Sequence, residues 1–106
     1  MDDKKKKLAN ELLLVNEEAY RLNEMEVNKI IKYNIKDNNY IERTLDYILS
    51  IYTEKGFYLY LKLLLYYKTV NYEGAIAYLE LLKEDREEEY KEFVKNKVKL
   101  LSVKDE

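Results

Sequence analysis

The chain has 106 residues, 47% of them hydrophobic and 38% charged, with a net charge of −2; this is too apolar for a disordered chain and enough for one domain with a modest core. It has no proline, cysteine or histidine and only two glycines, Gly56 and Gly74. Disulfides, thiolate metal sites, histidine bases and Ser-His or Cys-His nucleophile pairs are therefore excluded, and long helices are favoured over many short strands.

The start, "MDDKKKKLANELLLV", carries the basic run Lys4, Lys5, Lys6 and Lys7 but breaks its apolar stretch at Asn10 and Glu11, so it does not read as a signal peptide and the expected compartment is the cytoplasm. The four lysines oppose the dipole at a helix start; they read as a solubilising end or, alternatively, as an arm for phosphates. The net charge and the scarcity of arginine (Arg21, Arg43 and Arg86 alone) argue against a duplex-binding protein.

A first helix is expected over 3–33. Leu8, Leu12, Val15, Ala19 and Leu22 form a heptad-like stripe, widened by Leu13 and Leu14. The stripe then moves to Val27, Ile30, Ile31 and Ile35, which predicts either a bend or short break near 23–26 or one helix that contacts different neighbours along its length. "NIKDNN", Asn34 to Asn39, reads as a loop because Asn and Asp side chains compete for backbone hydrogen bonds. A second helix is expected over 40–54, with Ile41, Leu45, Ile48, Leu49 and Tyr52 inward and Gly56 closing it in a left-handed conformation.

"FYLYLKLLLYY", Phe57 to Tyr67, is apolar or tyrosine except for Lys62. It is too short to span a bilayer, which takes about 20 apolar residues. It reads as a helix over 57–69 contacted from several sides. Its alternation also allows a hairpin over Ser50 to Lys62; the leucine run 63–65 favours helix. Asn71 is the expected N-cap of a fourth helix over 72–101, marked by Ala75, Ile76, Leu79, Leu82, Tyr90, Phe93, Val94, Val98 and Leu101. The tail "SVKDE" is expected to fray. Glu80, Glu84, Glu87 and Glu88 would share one face of that helix, a solvated surface rather than a cation site.

Tyr58, Tyr60, Tyr66, Tyr67, Tyr72 and Tyr78 fall close together. A small core has difficulty satisfying so many hydroxyls, and tyrosine is favoured at interfaces, so these six are the candidate protein-contact residues. The bland cause is codon bias, because Lys, Asn, Ile and Tyr all have A/T-rich codons.

"YYKTVNYEGAIAYLELL", Tyr66 to Leu82, resembles the turn and second helix of a tetratricopeptide repeat, with Tyr66 and Ala75 at the packing positions of an aromatic and a small residue. The resemblance covers about one repeat, 59–87; Leu63 and Val70 stand where the family has a small residue and a glycine. It implies an antiparallel helix pair packed at Ala75 and, by analogy, protein binding.

The sequence thus predicts one all-α domain over 1–106, a bundle of about four helices with frayed ends. No catalytic residue, cofactor or metal site is expected. The expected function is a non-enzymatic protein–protein interaction module or small adaptor or inhibitor, tyrosine-lined and homodimeric. The alternative is a nucleic-acid-associated regulator using Lys4 to Lys7.

Overall fold

A computed structural model of the chain describes the backbone of residues 2–51 and 53–104, and the side chains of 4–7, 14–51 and 53–96. Five helices occupy them: α1 (Asp2–Lys32), α2 (Asn38–Leu49), α3 (Glu54–Val70), α4 (Tyr72–Asp85) and α5 (Glu87–Lys104). No strand occurs among the described residues, so the all-α class holds and the hairpin over 50–62 does not form. No helix there is long and apolar enough to cross a membrane.

α3 is the central element. Phe57, Leu59, Tyr60, Leu63, Leu64 and Tyr67 are buried on it, which places core on more than one side of the helix. α1 and α2 pack against it and against each other, α4 packs on it, and α5 follows on α4. The remaining core is Val27 and Ile30 from α1, Ile41, Leu45 and Ile48 from α2, and Ala75 and Leu82 from α4. Each large apolar side chain so buried stabilises the fold by roughly 1.5–3 kcal/mol before entropy is counted.

The helix ends follow from local chemistry. α1 closes on Asn34, whose φ of 51° is left-handed. The Ile35 amide donates to the Ile30 carbonyl (3.0 Å) and the Asn34 amide to Ile31 (3.3 Å), the Schellman pattern. Asp37 caps α2 by accepting from the Tyr40 amide (3.2 Å), and Thr53 caps α3 by accepting from Gly56 (3.0 Å). Asn71 alone joins α3 to α4: its amide donates to Tyr67 O (2.8 Å) and its side chain accepts from the Gly74 amide (3.0 Å).

Of the two readings of the shifted stripe the continuous helix holds: α1 runs without a break through 23–26, where Asn23 turns its amide back to the Ala19 carbonyl (2.8 Å) instead of interrupting the helix. Two boundaries differ from the sequence reading. α2 stops at Leu49, and Gly56 lies in the first turn of α3 rather than at the close of α2. A Cβ at Gly56 would stand 2.6 Å from the Ile51 carbonyl oxygen, so space, not a left-handed φ, requires glycine. The expected fourth helix divides at Arg86. The stripe positions Leu8, Leu12 and Leu13, the side chains of Val98 and Leu101, and Tyr52 lie outside the described residues, as do Asp105 and Glu106 of the tail.

Arg86 explains the division. It is buried, at 4% exposure. Its guanidinium donates to the Leu49 carbonyl (3.3 Å) and to the Ile51 carbonyl just beyond the end of α2, and to both oxygens of Glu89 (3.1 and 3.3 Å). One planar fork therefore caps α2 while starting α5, a task a lysine ammonium cannot match. We expect Arg86→Ala to cost about 2–4 kcal/mol, from lost charge-assisted bonds and buried carbonyls left without them. Arg86→Lys should recover less than half of that in urea unfolding; an unchanged midpoint for either variant would refute the role.

A second test concerns Gly74, where a Cβ would lie 2.6 Å from Tyr67 Oη and 3.0 Å from Tyr67 Cζ. Tyr67 is fully buried and cannot yield easily. Gly74→Ala should destabilise by about 1–3 kcal/mol through overpacking, against the gain of about 1 kcal/mol that alanine brings inside a helix. A variant more stable than the wild type would show that the Tyr67 ring moves freely.

Candidate protein-interaction surface

The tyrosines sort into ties and surface. Tyr60 and Tyr67 are 1% and 0% exposed. Tyr60 Oη donates to the Tyr78 carbonyl on α4 (2.7 Å), and Tyr67 Oη donates to the Glu42 carboxylate on α2 (2.5 Å). Half-buried Tyr66 donates from Oη to the Ile35 carbonyl after α1 (2.7 Å). Tyr40 of α2 donates to Glu26 of α1. These hydroxyls are satisfied inside the chain, and Tyr60 and Tyr67 present no contact surface. Since Tyr67 meets Gly74 while Tyr60 meets Tyr78, α3 and α4 run antiparallel.

Tyr78 is half-buried. Tyr58 and Tyr72 are exposed. Tyr58 packs edge-on against Phe57 and Phe93, tying α3 to α5 (ring centroids 5.6 and 6.0 Å). Tyr58 and Tyr72 stand near opposite ends of α3, roughly 18 Å apart along its axis at 1.5 Å per residue. The six tyrosines therefore do not form one surface.

The carboxylates do not converge either. The break at Arg86 puts Glu80 and Glu84 on α4 and Glu87 and Glu88 on α5, so the single acidic face expected for them does not exist. Glu80 pairs with Lys83 (3.3 Å) and Glu87 with Lys91 (3.0 Å). Among the described residues no three potential ligands gather to hold a metal ion.

α1 presents an apolar stripe outward, while exposed Leu65, Ile76, Leu81 and Val94 lie on α3, α4 and α5. Leu14, Val15, Leu22 and Met25 are 63%, 62%, 55% and 64% exposed. At 3.6 residues per turn they occupy about 100° of the helix circumference, centred roughly 140° away from buried Val27 and Ile30. The helix thus has two apolar faces. One, toward its C-terminal end, is spent on the core; the other, from Leu14 onward, faces away. No described residue of α1 before Val27 is buried. Lys4, Lys5, Lys6 and Lys7 are exposed near the N-terminus of the same helix.

Beside this face lies an open groove of about 950 Å³ between α1 and the start of α3, lined by Leu14, Glu17, Tyr20, Arg21, Thr53 and Lys55 among others. It adjoins a hollow of about 350 Å³ that shares Tyr20, Glu54 and Lys55 and reaches Tyr58 and Lys62. Walls with both signs of charge and an aromatic edge suit a helix or peptide better than a small substrate.

Met25 and Arg86 escaped the sequence reading. Met25 was legible as the continuation of Leu14 and Leu22 on one face, and Arg86 as an arginine in a chain that otherwise uses lysine. Compared with protein-family models, curated proteins and solved structures, the chain matches none.

The buried phenols give the fold a pH signature. Burial, then the bond to Glu42, pushes Tyr67 up to about 12. Burial, then the charges of Asp46 and Glu42, pushes Tyr78 up to about 12, and burial raises Tyr60 as well. The neutral phenol is the form the folded state favours. Its stabilisation is therefore complete below the ordinary value of about 10 and is lost as pH rises from there through about 12. We expect the melting temperature to fall above about pH 10, with Tyr67 and Tyr78 ionising only near 12. Ionisation of these two near pH 10 in the folded protein would contradict this.

Proposed function

We propose that the chain is a non-enzymatic protein–protein interaction module or small adaptor that docks through the outward face of α1 and its adjoining groove. The observation that carries this reading is the stripe of Leu14, Val15, Leu22 and Met25, more than half exposed and opposite the packed face of the same helix. A run of apolar side chains kept in water on a regular helix marks a contact site. Among the described side chains of α1 none before Val27 is buried, and an isolated helical stretch of that length is marginal alone; a partner supplies the missing burial. Tyr58 at the far end of the groove is the aromatic residue placed to join the contact. The α3–α4 pair, which resembles one tetratricopeptide repeat, serves as scaffold for this surface.

The test is Leu22→Glu with Met25→Glu. Both positions are exposed, so the folded stability should change by no more than about 0.5 kcal/mol. Sedimentation and affinity capture, run beside the wild type, should show association lost. Association that survives the double substitution would overturn the reading. So would salt-sensitive binding to generic duplex DNA that depends on Lys4 to Lys7.

A further inference from the structure

We infer that the joint between α4 and α5 is a latched hinge: Arg86 holds it bent, and its release lets 72–104 close into one continuous helix that carries Phe93 off Phe57 and Tyr58. The break has no local cause. From Ala75 to Lys104 there is neither glycine nor proline, the residues that end helices. Arg86 departs from helical geometry, with φ −124° and ψ 47°. The turns on both sides of it persist: its amide donates to the Leu82 carbonyl (2.8 Å), and its carbonyl accepts from the Tyr90 amide (2.9 Å). The bonds that a continuous helix would add run from the amides of Glu87, Glu88 and Glu89 to the carbonyls of Lys83, Glu84 and Asp85. Charge divides between the two forms. Glu87, Glu88 and Glu89 suit a helix start, whereas Glu84 and Asp85 sit badly at a helix end.

What holds the bend lies elsewhere in the chain. The buried Arg86 guanidinium donates to the Leu49 and Ile51 carbonyls at the end of α2 and to Glu89 on α5. α5 itself packs lightly. Among its described side chains none is buried, and Glu89, Tyr90 and Phe93 are half-buried. Phe93 meets Phe57 and Tyr58 edge-on, with ring centroids 5.9 and 6.0 Å apart, so α5 folds back toward α3. The antiparallel pairing of Tyr60 with Tyr78 and of Tyr67 with Gly74 sets Phe57 near the level of Leu82. In a continuous helix Phe93 would stand about 16 Å beyond that level, at 1.5 Å per residue. Release therefore bares Phe57, which is 3% exposed in the bent form, beside Tyr58.

The chain has no cysteine, so spin labels at exposed Glu73→Cys and Lys95→Cys report the joint in the full chain. A continuous helix sets these backbone positions about 33 Å apart. With Arg86 intact, double electron–electron resonance should give one shorter distance. Arg86→Gln removes the charge and keeps a good helix former. It should move most of the distribution to about 33 Å and slow the hydrogen exchange of the Glu87, Glu88 and Glu89 amides. A folded Arg86→Gln protein with the wild-type distance would show that packing sets the bend, and would overturn the latch. A broad distribution with fast exchange of those amides would show that α5 detaches instead, and would overturn the continuous helix. Should Arg86→Gln fail to fold, Glu89→Ala decides. It removes the two latch bonds to Glu89 and must raise the long-distance population; an unchanged distribution overturns the inference.

Discussion

A buried phenol must give its hydrogen to something, and α3 buries two. Tyr60 and Tyr67 lie in the centre of the molecule, where an unmet hydroxyl would cost more than a bond at the surface returns. Their acceptors belong to different neighbours, the Tyr78 carbonyl on α4 and the Glu42 carboxylate on α2. Half-buried Tyr66 adds a third tie, to Ile35 beyond the end of α1. Hydrophobic burial alone would let four helices slide around a leucine-rich rod; directional bonds from its tyrosines fix their places. Arg86 extends the principle, closing the end of α2 from the junction of α4 and α5.

The same ties explain what is left over. α1 is held near its C-terminal end by Val27 and Ile30 in the core, by Tyr40 on Glu26, and by Lys62 Nζ donating to Asn28 (3.0 Å). Earlier in the helix, packing is partial and an apolar stripe faces water. In the proposed reading a partner supplies that stretch with the burial its own fold does not.

Much of the fold was legible because helix periodicity and caps are local. Asn71 acts as the expected cap, and Asn34 ends α1 within the expected loop. What escaped depended on distant neighbours. The division at Arg86 exists because two carbonyls from another helix need a donor there, and nothing in "KEDREEE" displays them. Gly56 looked like a helix stop, but the constraint on it is the Ile51 carbonyl. The shift of stripe near Asn23 allowed a bend or a change of neighbours, and the second holds: one unbroken helix carries two faces. Which tyrosines are buried was hidden for a related reason. Composition counts hydroxyls but does not show that main-chain carbonyls and carboxylates wait for them inside. The surface was half legible, since Leu22 and Leu14 belonged to the expected stripe.

Hydrogen exchange read along the chain tests the central claim most directly. The account requires α3 amides between Leu59 and Tyr67 to be strongly protected, because their packing and hydroxyl ties lie within one chain. It requires amides from Leu14 to Leu22, where no described side chain is buried, to exchange faster in the isolated protein. Equal protection of the two stretches, or fast exchange in α3, would contradict the account.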